Sequence, residues 1–155
     1  MEVERYEKYF MIGTLVVILG AALALVISVV GHHAALPEPA GRIAPDDVLT
    51  TAPFDEPGLH DNGDGTYDLV LVAQAWQWTP SEVTVPAGVK INVVAASRDV
   101  VHGINIPHTQ GNAMVIPGQI TEIEVVFDEP GTYSLICHEY CGLQHHSMGG
   151  IIHAE

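Results

Sequence analysis

Phe10 to Val30 is a run of twenty-one residues without a charge, long enough to cross a bilayer as a helix. No other stretch constrains the chain as tightly. A cleavable signal peptide would have a shorter apolar core and a small-residue cleavage site, so residues 10–31 read as a retained, single-pass anchor. The chain has five basic residues, and Arg5 and Lys8 stand immediately before the run while none stands close behind it. The positive-inside bias then places residues 1–9 in the cytoplasm and everything after Gly31 on the outer, periplasmic side of the plasma membrane.

Behind the anchor, residues 32–60 carry Pro37, Pro39, Pro45, Pro53 and Pro57 among small and acidic residues. This composition predicts an extended linker, with a short helical turn near Asp46 to Leu49. His32 and His33 are expected at the membrane surface. Asp61-Asn-Gly-Asp-Gly-Thr66 resembles the start of a calcium loop, but counting from Asp61 the sixth position is Thr66 and the twelfth Val72, where a glycine and a bidentate glutamate are required. Asn-Gly and Asp-Gly mark a turn instead. From there, residues 61–155 hold short runs rich in valine and isoleucine, at 67–73, 82–86, 89–96, 103–106, 113–116, 120–127, 132–136 and 149–153, punctuated by Pro-Gly turns. Many short strands and no long helix predict an all-β sandwich or Greek-key barrel.

Near the C-terminus the sequence reads Cys137-His-Glu-Tyr-Cys141-Gly-Leu-Gln-His145-His-Ser-Met148. Two cysteines, a histidine and a methionine within twelve residues form a copper-binding set, because sulfur ligands favour Cu(I) and imidazole suits both oxidation states. Zinc fits less well, since structural zinc sites do not recruit methionine. Cys137 and Cys141 are the only cysteines, and outside the cytoplasm they can form a disulfide instead. That bridge would close a very short loop and constrain little. A copper site on a sandwich also needs a ligand from another strand, and His102, at the junction of two predicted strands, is the candidate.

The formal net charge is −14, with nineteen acidic residues. Nucleic acid, which needs a basic face, is excluded as a partner. The acidity suits either steering of a cationic partner or solubility in a salty milieu, and its dispersion along the chain favours the second.

Val85-Pro-x-Gly88, Val101-His102-Gly, Pro117-Gly118, Pro130-Gly-x-Tyr133 and above all Cys137-x-Glu-x-Cys141-Gly-x-x-His145-x-x-Met148 resemble subunit II of the haem–copper cytochrome c oxidases. A single anchor resembles the compact subunit II of the B-type enzymes. The resemblance implies a cupredoxin barrel carrying two copper ions in a dinuclear CuA centre. Cys137 and Cys141 would bridge the coppers, His102 and His145 would each bind one, and Met148 and the Glu139 carbonyl would be weak ligands. The Glu139 side chain is a candidate for magnesium or manganese at the contact with subunit I. Trp76 and Trp78 resemble the family's aromatic stretch near the donor-docking surface, and their spacing predicts one strand face; core packing is the alternative for at least one. His60, His108, His138, His146 and His153 have no place in the motif and read as surface residues or neighbours of the site, His138 and His146 facing subunit I.

The resemblance implies a membrane-bound electron-transfer subunit that takes electrons from cytochrome c or a small blue copper protein. It would pass them to haem in subunit I, where oxygen is reduced and protons are pumped. The chain would be part of an enzyme only within that complex of subunits. The alternatives are a mononuclear blue copper carrier using His102, Cys141, His145 and Met148, a disulfide-stapled scaffold without metal, and a relative of the copper domain of nitrous oxide reductase.

Overall fold

A computed structural model of the chain describes residues 4–31 and 39–155. His32, His33 and Pro37 lie outside the described residues. The chain divides into two compact units between residues 38 and 39.

In the first unit, α1 (Arg5–Gly31) buries no side chain. Its apolar residues surround the axis instead of forming one stripe, as expected of a helix whose whole circumference meets an apolar medium. It is long and apolar enough to cross a membrane.

Ten strands make up the second unit: β1 (Gly58–Asp61), β2 (Tyr67–Gln74), β3 (Gln77–Thr79), β4 (Glu82–Val85), β5 (Lys90–Ser97), β6 (His102–Asn105), β7 (Asn112–Val115), β8 (Ile120–Val126), β9 (Gly131–Cys137) and β10 (Gly149–Ala154). One sheet has the order β1-β2-β5-β8 with β3 also on β2, and the other β4-β10-β9-β6-β7. Pairing is antiparallel except for β2 with β5 and β4 with β10. The main core lies between the sheets, with Leu69, Leu71, Ile91, Val93, Phe127 and Leu135 among its buried residues. All eight predicted runs are strands, with ends shifted by a residue or so. β1 and β3 are additions.

The linker expectation needs correction. From Pro39 onward the segment belongs to the second unit. Gly41 bridges Ile120 on β8, a 3-10 turn spans Pro45–Thr50, and Val48 and Phe54 are fully buried. These side chains join Ile43, Val70, Val72, Val94 and Ala96 in a second apolar cluster. β2 and β5 therefore bury alternate residues on opposite sides, Leu69, Leu71 and Ala73 in the main core, Val70 and Val72 in the second cluster. A strand covered on both faces reads as an unbroken apolar run, as Leu69 to Ala73 does.

The Asp61–Thr66 stretch is a turn. Asp61 Oδ1 accepts from the Gly63 N–H at 2.8 Å and Asp64 Oδ1 from the Thr66 N–H at 3.0 Å, while Gly63 and Gly65 take positive φ.

Candidate metal centre

The centre is assembled at one end of the sandwich by β6, β9 and the loop that leads into β10. β6 pairs with β9 so that Ile104 faces Cys137, and the Cys137 N–H donates to the Met148 carbonyl at 3.2 Å. The loop from Cys137 to Met148 is thereby closed by its own flanking strands.

Inside it, Cys137 Sγ and Cys141 Sγ lie 3.8 Å apart, and both cysteines are free and buried. Cys137 Sγ is 3.9 Å from His102 Nδ1 and 3.3 Å from the Glu139 carbonyl oxygen. Cys141 Sγ is 3.5 Å from His145 Nδ1 and 3.5 Å from Met148 Sδ. His102 is fully buried and Met148 nearly so, whereas His145 and Glu139 are half-buried. All six candidate ligand residues thus converge, and a donor set of two sulfurs flanked by two imidazole nitrogens, a thioether and a carbonyl fits soft, copper-type chemistry. His102, Cys137 and Cys141 have ligand atoms mutually within 4.8 Å.

Burial in apolar surroundings, with the hydrogen bond and field of Cys137 adding to it, pushes the Cys141 thiol up to about 11. A metal must displace that proton before it can take the sulfur.

Asp99 is the residue that sequence reasoning missed. Its Oδ1 lies 2.9 Å from His102 Nε2, on the far side of the ring from Cys137, and also accepts from the Val100 N–H at 2.7 Å. Its Oδ2 accepts from the Ala75 N–H at 2.7 Å. Burial raises the carboxyl, but the donors at Ala75, His102 and Val100 outweigh it and hold the group below its ordinary value. A carboxylate on the second nitrogen of a ligating histidine fixes tautomer and ring orientation. The signal available was an aspartate three residues before His102.

The tryptophans do not share a strand face. Trp78 lies on β3, fully buried and 6.2 Å from the His102 ring centroid. Trp76 sits in the two-residue turn that joins Gln74 to Gln77, so period-two spacing does not apply to it. Its indole rests against Gly142, where a Cβ would come within 3.0 Å of Nε1 and where φ is +118°. Glycine is needed there on both counts. His138 similarly lies over Gly103, where a Cβ would fall 2.5 Å from its ring. His60, His108, His146 and His153 do not join the centre, and His153 bonds Glu82 at 2.8 Å on the surface.

Comparison with known proteins places this geometry. The family described as cytochrome C oxidase subunit II, periplasmic domain, matches residues 69–155. Cytochrome c oxidase subunit 2 of Thermus thermophilus is 32% identical over 152 residues, 95% of this chain and 90% of that protein. In the cryo-EM structure of a heme-copper terminal oxidase dimer, one chain superposes with a TM-score of 0.64 at 29% identity, over 97% of this chain and 100% of that one. The periplasmic domain of subunit II of cytochrome oxidase from Bradyrhizobium japonicum shares the cupredoxin-like fold, with a TM-score of 0.53 at 21% identity over 57% of this chain. A match over more than half the chain, and a relative aligned along nearly all of it, show the family. This chain belongs to the cytochrome c oxidase subunit II family and is a component of a haem–copper oxidoreductase complex.

Proposed function

We propose that the chain is the subunit through which single electrons come into the oxidase, using a dinuclear copper centre held by its own C-terminal loop. The observation that carries the reading is the pair of free sulfurs 3.8 Å apart, each with an imidazole Nδ1 beside it. Cys137 and Cys141 would bridge, His102 and His145 would each hold one copper, and Met148 and the Glu139 carbonyl would be weak ligands. When bound, two coppers sharing two thiolates supply a one-electron centre whose charge change is spread over both metals.

The protein's part is to hold these donors still. His102 is gripped from behind by Asp99, Cys137 ends β9, and Cys141 sits on the loop that β9 and β10 close, so the ligands have little freedom to relax with oxidation state. Burial of both sulfurs and of Met148 excludes water from the centre, while His145 alone among the side-chain ligands of sulfur and nitrogen reaches the surface. The donor would be cytochrome c or a small blue copper protein, and the acceptor haem in subunit I, where oxygen is reduced and protons are pumped. The anchor would cross the plasma membrane with residues 4–9 in the cytoplasm and the β unit outside, consistent with Arg5 and Lys8 before the span. The Glu139 side chain would be free to bind magnesium or manganese against subunit I.

The mononuclear alternative leaves Cys137 without a task, although its sulfur lies between His102 and Cys141. Copper content and electron paramagnetic resonance of the unit 39–155 loaded with copper decide between them. Two coppers per chain and an unpaired electron shared equally by two nuclei are expected. One copper with single-nucleus hyperfine structure would establish the blue copper carrier instead.

A further inference from the structure

His102 and Cys137 come from two strands with a short ladder between them. β6 pairs with β9 through Ile104 with Cys137 and Asn105 with Ile136, and both ligands stand where this ladder stops. Continued in the same register, the next pair is Gly103 with His138. It is joined by one backbone bond, from the His138 N–H to the Gly103 carbonyl at 3.2 Å. Each member of that pair is the chain neighbour of a ligand, since Gly103 follows His102 and His138 follows Cys137.

Successive side chains of a strand point to opposite faces. His102 is fully buried and Ile104 lies in the main core, so position 103 belongs to the outer face of the sheet, where Met114, its partner on β7, is 40% exposed. A glycine there would leave bare backbone, yet Gly103 is buried. What covers it is the His138 ring, whose Cε1, Nδ1 and Nε2 fall 2.5, 2.6 and 2.7 Å from where a Cβ would stand. The ring thus lies flat on the glycine, as aromatic rings do when they make up for a glycine's missing side chain across a strand pair. His138 Nε2 is buried and has no hydrogen-bond partner among the described residues, so packing, and not a bond at that nitrogen, keeps the ring in place.

Resting on the dinuclear copper reading above, we propose that Gly103 and His138 are positioning residues for the centre. The ring seated on the glycine clamps the end of β6 to the end of β9 from the outer face, and so sets the 3.9 Å separation of His102 Nδ1 and Cys137 Sγ on the inner face. Asp99 turns the His102 ring by its far nitrogen, and the clamp holds the backbone from which that ring hangs. Neither clamp residue touches the metal. A flat ring is needed at 138 and a glycine at 103, because a Cβ at 103 takes the space of the ring.

The test is a double-mutant cycle on the full-length chain in detergent, loaded with copper and read by chelator competition and electron paramagnetic resonance. His138→Ala is expected to weaken copper binding about ten-fold and to make the two copper couplings unequal, because His102 shifts against Cys137 while His145 keeps its place. Gly103→Ala, which drives the ring off, is expected to do the same. Combined, the two are expected to weaken binding by about ten-fold and not about a hundred-fold, since they break one contact. His138→Phe, a flat ring without nitrogens, is expected to hold the affinity within about two-fold. Additive losses in the double variant would overturn the proposal, and so would a His138→Phe chain as weak as His138→Ala, which would make a nitrogen the group that counts. It would equally fall if His138→Ala lowered only the urea midpoint and left affinity and equal couplings intact. Should Gly103→Ala not fold, the two His138 variants decide alone. Failure of the underlying reading shows separately, as an unaltered chain without two coppers sharing one unpaired electron.

Discussion

Asp99 does for His102 what the Cys137–Met148 loop cannot do for it. The loop supplies its own ligands from neighbouring turns of chain, but His102 arrives from β6 and needs its ring held from the other side. Replacing Asp99 by alanine frees that ring and also removes the acceptor of the Ala75 N–H. Asp99→Ala is therefore expected to weaken copper binding by about 10- to 100-fold, read by competition with a chelator, with Asp99→Asn intermediate because its amide oxygen can still accept. Cys141 governs a second residue-scale effect. Its folded pKa, about 11, lies above the ordinary thiol value of 9.0, so the native state holds this proton more tightly than the unfolded chain. That contribution is complete below about pH 9 and is lost as pH rises toward 11; urea unfolding of the copper-free unit should show stability declining across this window, and a Cys141→Ser variant should lose the decline. The loop ligands were legible in the sequence because their spacing is local. Asp99 was not, because its role depends on which ring nitrogen faces it. The Trp76 expectation failed because strand periodicity was carried across a turn.

β2 and β5 explain how much of the architecture could be read at the level of elements. Their valine-, leucine- and alanine-rich runs announce strands, and all eight predicted runs in the chain are strands. What they do not announce is which segment covers the outer face. Residues 39–57 looked like a linker because prolines and carboxylates dominate them, yet Ile43, Val48 and Phe54 are spaced to drop onto Val70, Val72, Val94 and Ala96. Phe54 is fully buried in this small cluster. Phe54→Ala is expected to cost about 3–5 kcal/mol, measured by urea unfolding of residues 39–155. A true linker residue would show no measurable loss. β3 escaped notice for a different reason: with Gln77, Trp78 and Thr79 it is too short to carry a pattern.

At the scale of the whole molecule, the strand registers decide which acidic residues become neighbours. Pairing gathers five of the nineteen acidic residues, Asp61, Asp64, Asp128, Glu129 and Glu155, at one end of the β unit, and a charge count alone does not separate solubility from steering. The same pairing sets the metal centre's tolerance to changes in chain length. β6 and β9 share only two residue pairs, Ile104 with Cys137 and Asn105 with Ile136, and side chains alternate between sheet faces. A residue inserted in the β6–β7 connection, 106–111, lengthens a hairpin and leaves every ligand where it was. A residue removed between Gly131 and Cys137 turns Cys137 out of the core and parts it from His102, so for this centre a single-residue deletion in β9 is a graver change than a longer insertion a few strands away.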